Sequence, residues 1–443
     1  MTHNMTVGSI PRNIISFAVP MIFGNMFQLT YNAVDSIIVG QKLGTDALAA
    51  VGAASPIMNI IIFLIVGICM GASVLMSEFF GAGEYENLKK EVSTTVITGF
   101  IFTAVMSVVF TLLAKPVLML VRTPQEILEQ SAGYLRIIFA GLLFTFVYNV
   151  YAAALRSVGD AVSPIIFLIF SSVLNVILDL VFVLYLQMGV NGTAWATVVS
   201  QAASSVLCVI YVWWKSPLLR TPRGGWKIES SLLLKTVNYS WVTALQQTCL
   251  YIGKVLIQGA VNPLGVSSVA TFNAVTRIDD FAFVPQQSIA QSMTVFIAQN
   301  RGAGETRRIR KGFRVGMYSE IVYWFFLSVT VFLGAKFVMR LFVKDAAADV
   351  ITLGVAYLQA MAVFYIMPGL TNGLQGYFRG MGDLKVTLLS TAVQMAGRVS
   401  LSYLLAPMFG IAGIAYSCFG GWVVMMAVEV PIYIYSVRSV RVE

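Results

Sequence analysis

The sequence has few of the residues on which catalytic and metal chemistry depend. Its only histidine is His3, and its four cysteines are far apart inside apolar runs. This distribution excludes a histidine-based triad, a zinc site and a disulfide framework. Charged residues are scarce, at 11% against roughly 25% in soluble domains. With 58% hydrophobic residues and a mean hydropathy of +0.81, the chain is typical of a membrane protein, and we predict neither catalytic residues nor a metal site.

Apolar runs of 18 or more residues, separated by polar or Gly/Pro breaks, predict twelve transmembrane helices. The first run has no small-residue cleavage site, so it predicts a membrane helix and not a signal peptide. The predicted spans are 13–40, 47–80, 92–114, 130–155, 161–187, 190–214, 231–260, 266–299, 313–339, 349–378, 384–406 and 410–436.

The basic residues predict how these spans are oriented. An even number of spans places both termini on one side, and nineteen of the 29 Lys and Arg residues fall on that side, six on the other and four within spans. Because cytoplasmic loops carry the excess of basic residues, we predict a multi-pass protein of the cell membrane with both termini in the cytoplasm. The net charge of +9 therefore indicates contact with anionic lipid, as in the basic run 301–314, and not a nucleic-acid partner.

The two halves of the sequence are alike. LGTDALAAVGA at 43–53 matches LGVSSVATFNA at 264–274, and SEFFGAGEYENLKK at 77–90 matches AQNRGAGETRRIRK at 298–311, both at an offset of 221 residues. We predict an all-α integral membrane protein with an N-terminal six-helix bundle (1–214), a cytoplasmic linker (215–230) and a C-terminal six-helix bundle (231–443). Two parallel repeats are related by a pseudo-two-fold axis along the membrane normal, as in transporters that work around a central cavity.

The first predicted helix carries a polar face. Gln28, Tyr31 and Asp35 are about one and two turns apart in an otherwise apolar segment. A charge at this depth costs about 2.5–3.5 kcal/mol on insertion scales, so we expect Asp35 to be protonated or paired, which suits a proton or cation switch. Pro20 removes a backbone donor and predicts a hinge in this helix.

The densest intramembrane charges are in the C-terminal half. Arg277, Asp279 and Asp280 occur within four residues. With Lys254 and Arg398 they predict a mutually neutralising charge network. The alternative, which the sequence leaves open, is that Asp279 or Asp280 faces the cavity and attracts a cation or relays protons.

Several motifs together resemble one family. They are the VP…D pattern of the first helix, the GAG loops at 81–83 and 302–304, the RSVGD and RGMGD turns, and the pair Asn175 and Asp179 in the fifth helix. In this order within two repeats they resemble the multidrug and toxic compound extrusion family, and its DinF-like branch in particular. The resemblance implies that Asp35 and Asp179, with Asn175, line an ion-coupling pocket in the N-terminal half.

The NorM-like branch of that family differs in having carboxylates in the seventh and tenth helices. The corresponding segments here, SWVTALQQTCLY and FYIMPGLTNGLQG, contain no acid. The internal repeat indicates the same asymmetry, since the acidic positions of the first half align with other residues in the second. The aligned pairs are Asp35 with Leu256, Asn175 with Arg398, and Asp179 with Ser402.

The expected function is proton-driven antiport of amphipathic, cationic small molecules by a monomer without a cofactor, with sodium as the other possible coupling ion. Gln28, Tyr31, Asn149 and Thr197 are the expected substrate contacts, although each also suits ordinary hydrogen bonding between helices. The alternative function is a flippase for lipid-linked oligosaccharides or polysaccharides, which would need a basic cavity. The GxGD pattern at 380–383 suggests an intramembrane protease, but turn chemistry explains it better.

Overall fold

The computed structural model describes residues 3–221, 225–342 and 348–439, except for the side chains of a few residues, those of 35–37 among them. The predicted linker is therefore described only in part, because residues 222–224 are outside these ranges. Short turns join fourteen α-helices within the described ranges. They are α1 Ile10–Leu43, α2 Thr45–Gly81, α3 Tyr85–Leu120, α4 Gln125–Ala140, α5 Leu142–Ser157, α6 Val162–Leu180, α7 Val190–Lys215, α8 Ser230–Val261, α9 Val266–Gly302, α10 Thr306–Phe342, α11 Ala348–Phe364, α12 Ile366–Met381, α13 Leu384–Phe409 and α14 Ile411–Ser439.

The helices follow the predicted spans, and two spans are bent. The fourth predicted span is the pair α4 and α5, and the tenth is the pair α11 and α12; each pair bends by 45°. The second bend is at Tyr365, three residues before Pro368, which has no N–H to donate to the Phe364 carbonyl. Hydropathy alone cannot predict such a bend, since both halves of each span are equally apolar.

Membrane length and polarity differ among the helices. By length and composition, seven helices of the described ranges can cross a membrane, or nine if each bent pair counts as one span. The others, α8, α9 and α13, have 32, 37 and 26 residues and are long enough, but they are less apolar because they hold the intramembrane charges discussed above. The predicted all-helical membrane fold of two repeated halves is confirmed.

The repeat predicted from sequence is visible in the backbone. Glycines with positive φ recur at equivalent turns of the two halves, with nearly the same angle in each pair. These pairs are Gly44 and Gly265 (87° and 90°), Gly83 and Gly304 (75° and 72°), Gly159 and Gly382 (86° and 81°), and Gly189 and Gly410 (59° and 58°). The last glycine of each GAG triplet thus supplies the left-handed residue that ends a long helix.

The chain divides into two compact units. Unit 1 comprises Met1–Met5 and Val19–Thr248, and unit 2 comprises Thr6–Ala18 and Cys249–Glu443. The boundaries therefore fall inside α1, next to Pro20, and inside α8. The linker boundaries proposed from the sequence concern the repeat and stay a prediction.

Each unit holds one of these helix ends by specific contacts. In unit 1, Gly71 of α2 packs so closely on α8 that a Cβ there would be 2.4 Å from the Tyr239 carbonyl oxygen, a small-residue contact typical of membrane helices. In unit 2, the Ser292 hydroxyl of α9 donates to the Ile14 carbonyl of α1 at 2.8 Å. Each unit also has its own apolar core, around Phe139 and Phe146 in unit 1 and around Met339 and Trp422 in unit 2.

Candidate coupling site

A buried polar group in unit 1 joins three helices. Asn175 and Asp179 are one turn apart on α6 and are 1% and 0% exposed. In the amide orientation that satisfies its neighbours, Asn175 Nδ2 donates to Asp179 Oδ2 at 3.0 Å and to the Tyr31 hydroxyl of α1 at 3.0 Å. Its Oδ1 accepts from the Thr197 backbone N–H of α7 at 3.1 Å. The structure thus brings together four of the predicted residues.

This arrangement makes the Asn175 amide sensitive to the charge on Asp179. A carboxylate accepts the amide N–H strongly, whereas a protonated carboxyl accepts it more weakly and has an O–H of its own to donate. Because the same Nδ2 also bonds to Tyr31, a change of charge at Asp179 on α6 reaches α1 through one side chain.

The other predicted N-terminal residues have different surroundings. Asp35 lies in α1 one turn after Tyr31, but its side chain is outside the described part of the chain. Gln28 is exposed, and Asn149 donates to the Thr145 carbonyl of its own helix at 2.8 Å. Pro20 is inside α1, which continues through it as one helix. The roles of all these residues stay predictions.

An apolar crevice lies beside the buried group. It has a volume of about 250 Å³ between α1 and α6, and Tyr31 belongs to its wall. The other lining residues include Phe27, Val34, Val176 and Ile177. Unit 1 therefore places an apolar surface next to a hydroxyl that reports on a buried carboxyl, a combination that suits an amphipathic molecule.

The C-terminal charges form two separate groups in unit 2. Lys254 Nζ of α8 is 3.2 Å from Asp280 Oδ1 of α9, and both side chains are partly exposed. Asp279 is buried and accepts from the hydroxyls of Tyr365 at 2.5 Å and Tyr357 at 3.3 Å.

The two arginines of the predicted network also differ. Arg398 lies within electrostatic reach of Asp279, whereas the Arg277 side chain is exposed. One continuous network through all five residues is thus not what the described contacts show, and the function of each group stays a prediction.

The two Gly-Asp turns outside the spans differ in electrostatics. Burial raises the pKa of Asp160, but hydrogen bonds outweigh it, among them those from the Ser163 N–H at 3.0 Å and hydroxyl at 2.7 Å, so that the pKa lies below its ordinary value. Burial raises the pKa of Asp383, and Arg301 only partly offsets this effect. Each aspartate follows a positive-φ glycine in a helix-ending turn, as turn chemistry predicts.

Sequence reasoning missed three buried glutamates. Glu91, Glu320 and Glu429 are 0%, 1% and 0% exposed. Glu91 accepts from the Thr236 hydroxyl, and Glu429 accepts from Gln375 and Ser390. An acid inside an apolar run is itself a signal, and this signal was available for Glu320 and Glu429, which lie inside predicted spans.

The fold and this site together define a class: a helical membrane protein of two repeated halves, with a buried carboxyl group held by an amide in the first half. A family model described as MatE matches residues 20–181 and again residues 243–404. The chain belongs to the MatE family, and the resemblance to multidrug and toxic compound extrusion proteins is confirmed. The more specific DinF-like assignment stays a prediction.

Known proteins of similar length resemble the chain throughout. It is 28% identical over 352 residues to the Probable multidrug resistance protein YoeA of Bacillus subtilis (strain 168), covering 78% of this chain and 76% of that protein. Identity is also 28% over 392 residues to the Probable multidrug resistance protein YpnP of the same organism, with 87% and 86% covered. A solved outward-facing multidrug resistance MATE family transporter of the MOP superfamily matches the fold with a TM-score of 0.92 at 22% identity, covering 99% of this chain and 98% of the other.

Proposed function

We propose that the chain is a secondary active efflux transporter that exports amphipathic, cationic compounds in exchange for protons. The observation that carries the proposal is Asp179, a fully buried carboxyl whose amide partner also bonds to α1. Two relatives with the same family fold are named as multidrug resistance proteins. The transporter acts as a monomer in the cell membrane with both termini in the cytoplasm, and it needs no cofactor.

Proton binding and substrate binding exclude each other in this proposal. Ionised Asp179 and Asp35 attract a cationic substrate, whose apolar part contacts the crevice between α1 and α6. Protonation removes the charge that holds the substrate and weakens the Asn175 bond to Asp179. Each ligand then favours a different conformation, which is the requirement for coupling.

The change in α1 has a natural place to occur. Pro20 leaves the Ser16 carbonyl without its usual helical donor, and the boundary between the two units falls next to it. When the bond between Asn175 and Tyr31 changes, α1 bends at this weak point and opens the crevice for release of the substrate.

The flippase alternative is less well supported. It needs exposed positive charge for an anionic lipid headgroup, but Lys254 is paired with Asp280 and Arg398 lies within electrostatic reach of Asp279. Sodium in place of the proton is the closer alternative, because carboxylate and amide oxygens bind either ion.

The test is export of a fluorescent cation such as ethidium from everted membrane vesicles, with a pH gradient or a sodium gradient imposed separately. We expect Asp35→Asn and Asp179→Asn each to reduce pH-driven export at least about tenfold, a change worth about 1.4 kcal/mol. The control is Glu86→Gln, which removes an exposed carboxylate paired only with Lys89. Wild-type export driven by sodium alone would replace the proton in the proposal, and unimpaired pH-driven export by both variants would refute it.

A further inference from the structure

Glu320 of α10 is a buried carboxyl without a hydrogen-bond donor. Its side chain is 1% exposed, and within the described residues neither Oε1 nor Oε2 has a hydrogen-bond partner. An isolated carboxylate in an apolar surrounding is so unfavourable that such a group takes up a proton instead. This feature sets Glu320 apart from Glu429, which is equally buried but has two donors.

A second unsatisfied acceptor points to the same place. Gln286 of α9 donates from Nε2 to the Tyr365 carbonyl at the bend between α11 and α12, at 2.9 Å, but its Oε1 has no partner among the described atoms. A Cβ built on Gly369 of α12 would be 3.1 Å from Gln286 Nε2 and 3.4 Å from Glu320 Oε2. Both side chains therefore end over this glycine, which leaves the space that they fill.

The internal repeat shows that packing alone does not require an acid here. At an offset of 221 residues Glu320 corresponds to Gly99 and Gln286 to Ile65, and at the later offset of 223 Gly369 corresponds to Phe146. In unit 1 the Phe146 ring fills the space over Gly99, where a Cβ would be 2.3 Å from Phe146 Cζ. The same site is thus filled by an apolar ring in one repeat and by a carboxyl and an amide in the other.

We propose that Glu320, with Gln286 as its acceptor, is a second proton-binding carboxyl, located in unit 2 and used in the transport cycle. A proton on Glu320 supplies the donor that Gln286 Oε1 lacks. The ionised form has a donor nearby, because Trp324 follows one turn later on α10 and its Nε1 is buried and has no acceptor in the described structure. The site in unit 2 therefore has a partner for each charge state. Its use in transport rests on the proposed antiport.

The first test is infrared spectroscopy of the purified full chain, which detects the carbonyl stretch of protonated carboxylic acids. We expect a band that disappears on titration to high pH, is absent in Glu320→Gln and persists in Glu429→Gln. Gln286→Leu keeps the acid but removes its acceptor, so it should shift this band and serve if Glu320→Gln folds poorly. A spectrum in which neither Glu320→Gln nor Gln286→Leu alters any protonated-acid band overturns the assignment.

The second test measures protons released when ethidium binds to the purified protein in weakly buffered solution. We expect Glu320→Gln to release fewer protons per bound ethidium than wild type and Glu429→Gln to match wild type. Equal release by Glu320→Gln and wild type overturns the role in transport. Failure of the antiport proposal looks different, since wild type itself would then release no protons while the infrared band still reports on Glu320.

Discussion

Tyr134 and Tyr357 occupy equivalent positions of the two repeats, but their hydroxyls meet different groups. Tyr134 of unit 1 donates to the Met58 sulfur at 3.8 Å, whereas Tyr357 of unit 2 donates to Asp279 at 3.3 Å. Met58 and Asp279 are themselves equivalent, 221 residues apart. One repeat therefore places a thioether where the other places an acid, although the tyrosine and the helices are the same.

The opposite exchange occurs at Asp179. Its equivalent in unit 2 is Ser402, which donates to the Arg398 carbonyl at 2.8 Å and shares a 2.7 Å hydrogen bond with Ser417. Buried acids are costly in a membrane, so their placement at different positions in the two repeats indicates different tasks. We infer that duplication supplied the helices, and that each half then acquired its own ionisable groups.

The largest effect that sharpens this comparison is expected for Asn175→Ala. The change leaves Asp179 without the amide donor and severs the bond to Tyr31, so we expect pH-driven export to fall at least about tenfold and stability to fall by about 1–3 kcal/mol. Export assays and thermal unfolding in detergent measure the two effects. Ser402→Ala in the other repeat is the control, and a similar loss of export in both variants would contradict a special role for unit 1.

An intermediate effect is expected for Tyr357→Phe. It removes a hydrogen bond to an acid and should lower stability by about 1–2 kcal/mol, whereas Tyr134→Phe removes a bond to a weak thioether acceptor and should cost about 0.5 kcal/mol or less. Thermal unfolding of both variants under the same conditions makes the comparison. If Tyr134→Phe were the more destabilising, the acid at Asp279 would not explain the difference between the repeats.

The smallest effect is expected for Lys254→Gln. The pair with Asp280 is partly exposed, and such ion pairs contribute about 0–1 kcal/mol, so we expect a small change in the melting temperature and export within about twofold of wild type. A loss of export comparable to that of Asn175→Ala would instead favour the predicted charge network in unit 2.

The sequence was enough to predict the helices, the repeat and the grouping of Tyr31, Asn175, Asp179 and Thr197, because hydropathy and helical spacing are local properties. It did not predict the bend at Tyr365 or the separation of Asp279 from Asp280, since adjacent residues on a helix point in different directions. The unsatisfied state of Glu320 depends on what α9 and α12 place around it, which no local pattern contains.

The central claim is that ion coupling takes place at Asp179, and the most direct test compares two modes of transport by Asp179→Asn in proteoliposomes. Exchange of labelled for unlabelled substrate without a gradient requires only binding and conformational change, whereas accumulation against a gradient also requires proton coupling. The account predicts that Asp179→Asn retains exchange but loses accumulation driven by a pH gradient. Accumulation at the wild-type rate would contradict it.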